Sequence, residues 1–302
     1  MAVAKPFLKW AGGKTQLLGQ IAECLPVEIA QGGIDRYIEP FMGGAAVFLY
    51  LVQKHSIAEN YVADGNEELA LAYKTVQQRV EEVIALLRSI EQAYYGMTPA
   101  QQKARFYAVR SQFNEERSQI DFSGAGAESA KRTAQLIFLN RTCFNGLFRV
   151  NARGGFNVPF GGYMHPLICD AENLRTVSAV LRRTRILHGD FTICEPYVDA
   201  RTFVYFDPPY RPISRSASFN SYSRQPFDDA AQARLAEFYR ALDGKGAKLM
   251  LSNSDPHNEN LADNFFEELF SGFHIRRVLA RRNINSNGAR RGAITELLIT
   301  NY

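Results

Sequence analysis

The sequence predicts an α/β protein, a doubly wound sheet interrupted by a helical insertion. Three observations carry that expectation. Short β-branched and aromatic runs alternate with helical stretches near residues 36–64 and again near 172–302, the pattern of a mostly parallel sheet. Between them, residues 66–142 lose that alternation and take the apolar period of helices. Two apolar runs end in an acidic residue before proline, Glu39-Pro40 and Asp207-Pro208, and the carboxyl ends of such strands are where open sheets bind ligands.

Each element follows from local pattern. Tyr37-Ile38 reads as strand and leads into Glu39-Pro40-Phe41-Met42-Gly43-Gly44; a helix is expected from about Ala45 to Lys54, then a short strand, Tyr61-Val62-Ala63, ending at Asp64. Leu69, Tyr73, Val76, Val80, Val83, Leu87, Ile90 and Tyr94 are spaced by fours and threes, one face of helix with a break expected near Arg79. Thr98-Pro99-Ala100-Gln101 supplies an N-cap, a proline at the first helical position and a glutamine to close a capping box. A further helix is expected over 129–142. Residues 143–160, rich in glycine, asparagine and aromatics, read as a hairpin. Strands are then expected at 185–188, 202–206, 248–252, 275–279 and 295–300, with helices at 172–181, 228–242 and 258–270. The expected organisation is a ligand-binding α/β domain, 1–65 with 163–302, and an insertion, 66–162.

Composition narrows the class. Of 302 residues, 46% are hydrophobic, enough for a packed core rather than a disordered chain. A net charge of +4 is compatible with a polyanion but does not require one. Cys24, Cys143, Cys169 and Cys194 form no CxxC pair or zinc-spaced cluster, so reduced thiols and no metal are expected. Met1-Ala2-Val3-Ala4-Lys5-Pro6 has no signal core, and no apolar run nears the ~20 residues of a membrane span. A cytoplasmic protein without a membrane partner is expected.

Asp207-Pro208-Pro209-Tyr210 is the most informative stretch. It follows the buried-strand run Thr202-Phe203-Val204-Tyr205-Phe206, and its prolines stiffen the backbone. Tyr210 can stack on a planar base, while the Asp207 carboxylate and the Pro208 carbonyl each accept one N–H of an exocyclic amine. A solvated turn would carry the same four residues.

The glycine loop after Glu39 is not a dinucleotide fingerprint. Glu39 repels a pyrophosphate and attracts a cation, with Phe41 and Gly43 beside it as further contacts. Asp64, at the end of the next strand, stands where a carboxylate holds a ribose diol. A ribose-bearing cation, S-adenosylmethionine, meets both demands. Phe7-Leu8-Lys9-Trp10-Ala11-Gly12-Gly13-Lys14-Thr15 fails as a P-loop, because Leu8 stands where the first glycine belongs. Lys14 is a candidate for the cofactor's carboxylate, and Trp10 for its sulfonium. After His188-Gly189, Asp190 can accept from an adenine amine and Phe191 can stack on its ring; a core tryptophan and an ordinary strand-ending turn are the plain alternatives.

The ordered set of motifs resembles the Dam-type DNA adenine-N6 methyltransferases of the D12 class, alpha group. It runs through Phe7-Leu8-Lys9-Trp10-Ala11-Gly12-Gly13-Lys14, Glu39-Pro40-Phe41-Met42-Gly43-Gly44, Ala63-Asp64, Asn140-Arg141-Thr142-Cys143-Phe144-Asn145-Gly146-Leu147-Phe148-Arg149, Phe156-Asn157-Val158-Pro159-Phe160-Gly161, Asp207-Pro208-Pro209-Tyr210 and Arg282-Asn283-Ile284-Asn285-Ser286-Asn287. The resemblance implies a Rossmann-like S-adenosylmethionine-dependent catalytic domain with S-adenosylhomocysteine as product, and an inserted target-recognition domain. It implies that Trp10, Lys14, Asp64 and Asp207 touch the cofactor, with Asp190 and Phe191 at its adenine, and that GATC is read.

Double-stranded DNA is the expected partner of a monomeric, nucleoid-associated enzyme. Arg149 has the fork that pairs with guanine O6 and N7, and Leu147 and Pro159 can meet a thymine methyl. Asn145 can bond a base edge, and Phe144 can wedge into the stack where a base leaves it. The resemblance adds Lys9 as a contact to an outer G·C pair, and notes that tyrosine is common where Phe144 stands. Arg276, Arg277, Arg281, Arg282, Arg290 and Arg291, with Asn283, Asn285, Ser286 and Asn287, suit phosphates. Pro212 to Pro226 is expected to order on DNA. Transfer to cytosine N4 or to a glutamine amide, and a silent DNA-binding module, are the competing readings.

Overall fold

The computed structural model describes residues 2–151, 153–211, 227–281 and 293–302. Among the described residues seven strands form one sheet: β1 (Arg36–Glu39), β2 (Glu59–Asp64), β3 (Thr184–His188), β4 (Thr202–Phe206), β5 (Lys248–Ser254), β6 (His274–Arg281) and β7 (Ala293–Thr300). Their order is β3-β2-β1-β4-β5-β7-β6. The pairs β1–β2, β2–β3, β1–β4 and β4–β5 are parallel, and β7 runs antiparallel to both β5 and β6. This is the Rossmann-like α/β arrangement expected from the sequence.

The order sets the site. Chain growth runs outward through β2 and β3 on one side of β1, and through β4 and β5 on the other. A doubly wound sheet opens a crevice at such a switch point, outside the strands' carboxyl ends. β1 ends there at Glu39 and β4 ends beside it before Asp207.

The helices are α1 (Leu18–Glu23), α2 (Val27–Gln31), α3 (Ala46–Lys54), α4 (Glu67–Tyr95), α5 (Pro99–Glu115), α6 (Ala127–Thr142), α7 (Ala171–Leu181), α8 (Asp229–Asp243) and α9 (Phe265–Leu269). Capping explains several starts. Asn66 accepts from Glu68 and Leu69 N–H groups at 3.1 and 3.3 Å. Thr98 and Gln101 close the capping box read from the sequence, with Pro99 opening the helix. Arg79 has non-helical φ and ψ inside α4, which is the break the apolar spacing indicates. Before that break Gln77 donates to the carbonyls of Leu181 and Thr184 at 2.6 and 2.8 Å, tying α4 to the sheet. On both sides of the break α4 packs on α6, through Glu68 with Arg132 before it and Tyr94 with Phe138 after it.

Two expectations change. The helix expected over 258–270 is only α9, preceded by a short 3₁₀ turn, Pro256–Asn258. Asn260 and Asp263 instead bond the backbone N–H groups of Ala262 and Phe265 at 3.1 and 3.2 Å, and such local bonds compete with helix. The hairpin of 143–160 is irregular: two isolated bridges, Cys143 to Phe160 and Val150 to Phe156, and a 3₁₀ turn, Phe144–Gly146. Asn145 and Gly146 both take positive φ, which breaks a continuous ladder.

α4, α5 and α6 are joined by a buried charge cluster. Arg132 on α6 donates from Nε to Glu68 Oε2 at 2.9 Å, pairs through Nη2 with Glu68 Oε1 and through Nη1 with the Phe113 carbonyl, and lies 3.3 Å from the Phe113 ring centre. No described helix is long and apolar enough to cross a membrane.

Candidate active site and nucleic-acid interface

At the switch point, acidic side chains end three strands. Glu39, at the end of β1, is buried and accepts from the Tyr37 hydroxyl at 2.6 Å. Burial pushes its carboxyl up to about 8, with the Asp207 charge adding to the rise and the Tyr37 bond opposing it. Asp64, at the end of β2, accepts from the Gly43 N–H at 3.0 Å and the Asn66 N–H at 2.8 Å. Burial raises it to about 6 against those two bonds. Gly43 needs its glycine: its φ is +45°, and a Cβ would lie 2.9 Å from Trp10 Cδ1. Trp10 therefore lies directly on this loop, stacked on Phe148 at 5.4 Å.

Glu39 permits a first test. A carboxyl with a folded value near 8 against an ordinary 4.5 lends stability below its ordinary range and loses it as pH rises toward 8. Glu39→Gln keeps an acceptor for Tyr37 and carries no charge. The variant is expected to be more stable than the parent, by about 4 kcal/mol at pH 8 and about 1 kcal/mol at pH 5. Thermal unfolding at the two pH values measures it, and equal shifts at both would contradict the assignment.

Asp207 follows β4 directly and is half-buried. The Lys14 ammonium lies 2.6 Å from its Oδ1, donates to the Gly12 carbonyl at 2.7 Å, and sits 4.6 Å from the Tyr210 ring centre. Burial raises Asp207 to about 6 despite the attraction of Lys14. The motif is buttressed from β5 and α8. Gln232 donates to the Pro209 carbonyl at 3.1 Å and accepts from Asn253 at 3.1 Å, and Asn253 accepts from the Arg211 N–H at 3.3 Å. Arg211 bonds Asp229 and Asp263, both at 2.8 Å. Pro208 is buried and Pro209 exposed. The turn is therefore fixed from both sides, and can present a carboxylate, a carbonyl and an aromatic face to one planar group.

Across the crevice, Phe41 meets Phe191 at 5.5 Å and Phe227 at 5.7 Å. Phe191 is buried, packed also on Phe238 at 5.4 Å and under Arg234 at 4.5 Å. Asp190 pairs with Arg234 through both oxygens, at 3.0 and 2.7 Å, so an adenine amine would compete with that guanidinium. Asp190 is held below the usual carboxylate range by Arg234 and Thr192, against its partial burial.

The residues expected at DNA gather on the hairpin and the N-terminal loop, which are clamped together. Asn140 accepts from the Lys9 N–H at 2.8 Å and donates to the carbonyls of Lys9 and Gly146, both at 2.9 Å. Arg141 holds the Phe7 carbonyl at 2.8 Å. Gly146, φ +64°, admits the Lys9 stem, which a Cβ would meet at 2.3 Å. Phe144 is 51% exposed, unlike the core aromatics, and so free to meet a partner. Asn145 is exposed, its N–H bonded to the Tyr163 hydroxyl at 3.0 Å. Leu147 and Arg149 are half-buried and Pro159 exposed. Arg149 Nε donates to Asn157 at 2.8 Å, which fixes the guanidinium from behind.

Arg277 is bound by Asp255 at 2.9 Å and by Glu267, a structural role, and Arg276 rests on the Cys24 sulfur at 3.0 Å. Arg282 and Asn287, with Arg290, Arg291 and the segment Pro212 to Pro226, lie outside the described residues. Sequence reasoning missed Tyr37, Gln232, Asn253, Arg234 and Glu296. Glu296 alone gave a signal, as one charge inside the apolar run Ile294 to Ile299.

The description of D12 class N6 adenine-specific DNA methyltransferases matches residues 10–284. The type II methyltransferase M.MjaIII of Methanocaldococcus jannaschii is 50% identical over 299 residues, covering 99% of each chain. The type II methyltransferase M1.LlaDCHI of Lactococcus lactis subsp. cremoris is 34% identical, covering 99% of this chain and 95% of its own. The DNA adenine methylase of Escherichia coli K12 is 33% identical, covering 97% and 94%. A match this long shows that the chain belongs to the D12 class of N6 adenine-specific DNA methyltransferases.

Proposed function

We propose that the protein transfers a methyl group from S-adenosylmethionine to N6 of an adenine flipped out of duplex DNA, within GATC. The observation that carries this reading is the convergence of Asp207, Lys14 and Tyr210 at the switch point, next to Glu39.

The residues present fit the methyl donor. Glu39 suits its ammonium, Lys14 its carboxylate, Asp64 its ribose diol, and Trp10 and Phe41 its flanks, while Gly43 leaves room for close backbone approach; Asp190 and Phe191 are the adenine candidates. When bound, S-adenosylmethionine supplies an electrophilic methyl group and leaves as S-adenosylhomocysteine. On the target side, a duplex hides the adenine amine, so the base must leave the stack, at about a few kcal/mol. Phe144, exposed on the hairpin, can fill the gap. Asp207 then exchanges Lys14 for one N6 hydrogen, and the Pro208 carbonyl accepts the other. Two acceptors in fixed positions orient the nitrogen lone pair. Both bonds strengthen as positive charge grows on nitrogen.

On this reading residues 66–162 recognise the target, and 1–65 with 163–302 catalyse. Arg149, Leu147, Pro159 and Lys9 read bases, Asn145 faces the base left unpaired, and Arg282 and Asn287 meet phosphates. The enzyme acts as a monomer, visiting a palindrome once in each orientation, in the cytoplasm at the nucleoid. The names of the two type II relatives favour a place beside a restriction nuclease. Arg149→Ala is expected to lose about 1–3 kcal/mol of discrimination at one guanine. Lys14→Ala is expected to weaken donor binding without changing sequence preference. Kinetics on duplexes altered at single positions measure both, and exchanged phenotypes would contradict the assignment of the two faces. The function itself is tested by challenging treated DNA with nucleases that cut GATC only when methylated or only when unmethylated. Methylated adenine at another sequence would refute the specificity.

A further inference from the structure

Glu296 is used by no step above, yet it is bonded to the motif. It lies on β7, paired in register with Ser254 of β5 and Val278 of β6. Leu297, Leu298 and Ile299 beside it are buried. A half-buried carboxylate in an apolar strand is costly unless it is hydrogen-bonded. The Tyr210 hydroxyl donates to Glu296 Oε2, 86 residues along the chain. This bond fastens the far end of the ring, while Lys14 sits 4.6 Å from its centre and the backbone after it is tied to Asn253. A phenol anchored through its hydroxyl loses much of its torsional freedom, which favours one orientation of its face.

We propose that Glu296 is a positioning residue for methyl transfer: through the Tyr210 hydroxyl it sets the plane on which the target adenine stacks. This rests on the reading that Tyr210 stacks on that adenine. Because it acts through the Tyr210 hydroxyl, its loss is expected to affect the rate of transfer rather than binding.

The test is single-turnover methylation with equilibrium binding of duplex and donor, for the parent, Glu296→Ala, Glu296→Gln, Tyr210→Phe and the Tyr210→Phe/Glu296→Ala double variant. Glu296→Ala and Tyr210→Phe are each expected to slow transfer about tenfold, the scale of one charge-assisted hydrogen bond, with both affinities within about twofold of the parent. The double variant is expected to be no slower than the slower single, because both changes remove one bond. Glu296→Gln keeps an acceptor and is expected to recover most of the rate. Parent-like turnover in Glu296→Ala, or losses that multiply in the double variant, would overturn the proposal while leaving the proposed function standing. Tyr210→Ala separates the two ideas: unchanged turnover there would remove the stacking role itself, and the proposal with it.

Discussion

Asp207→Ala is expected to lower methyl transfer by roughly 10²–10³-fold, by analogy with the removal of a preorganised transition-state partner, while duplex binding and the melting temperature stay near the parent's. Asp207 is half-buried at the end of β4 and its partner is Lys14, so truncation removes an acceptor without opening the core. It also frees Lys14, which still has the Gly12 carbonyl at 2.7 Å. Asp207→Asn separates charge from geometry: it keeps one acceptor oxygen and loses the negative charge. The same carboxyl predicts an acid limb. Raised by burial to about 6, it loses its ionised form as pH falls through that value, and turnover in the parent is expected to fall with it. Single-turnover rates across pH 5–8 measure both effects, and near-parent transfer by Asp207→Ala would sink the mechanism.

The largest stability effect is expected at Arg132. Its guanidinium is fully buried and held by Glu68 and the Phe113 carbonyl. Arg132→Ala leaves the Glu68 carboxylate buried without that partner, apart from Arg117 at 3.7 Å, and is expected to cost about 3–5 kcal/mol. The double change Arg132→Met with Glu68→Met removes both charges and is expected to cost far less. Denaturant unfolding of the two variants measures the difference. A single variant as stable as the double one would mean that the ion pair does not hold α4 to α6.

What was legible in the sequence follows from where physics acts locally. The β4 strand ends where two prolines must end it. The capping box at Thr98 and the break at Arg79 were readable because caps and apolar spacing are short-range features. The acidic strand ends Glu39, Asp64 and Asp207 could be picked out, since each stands against glycine or proline after an apolar run. What connects them could not. The contact of Lys14 with Asp207 spans 193 residues, and that of Tyr210 with Glu296 spans 86; only the strand order brings such pairs together. The short α9 was misread because asparagine and aspartate side chains took over backbone N–H groups that periodicity assigns to a helix. Arg277 looked like a phosphate ligand in a basic run, but Asp255 and Glu267 claim it in the fold.

Donor, target atom and sequence are tested together by one measurement. A duplex with one GATC site and a duplex with those four bases scrambled are incubated with the protein and S-adenosylmethionine labelled in its methyl group. Each is then digested to nucleosides and separated. Label is expected in N6-methyldeoxyadenosine from the GATC duplex alone. Label in N4-methyldeoxycytidine, equal label from both duplexes, or none in either would overturn the proposed function.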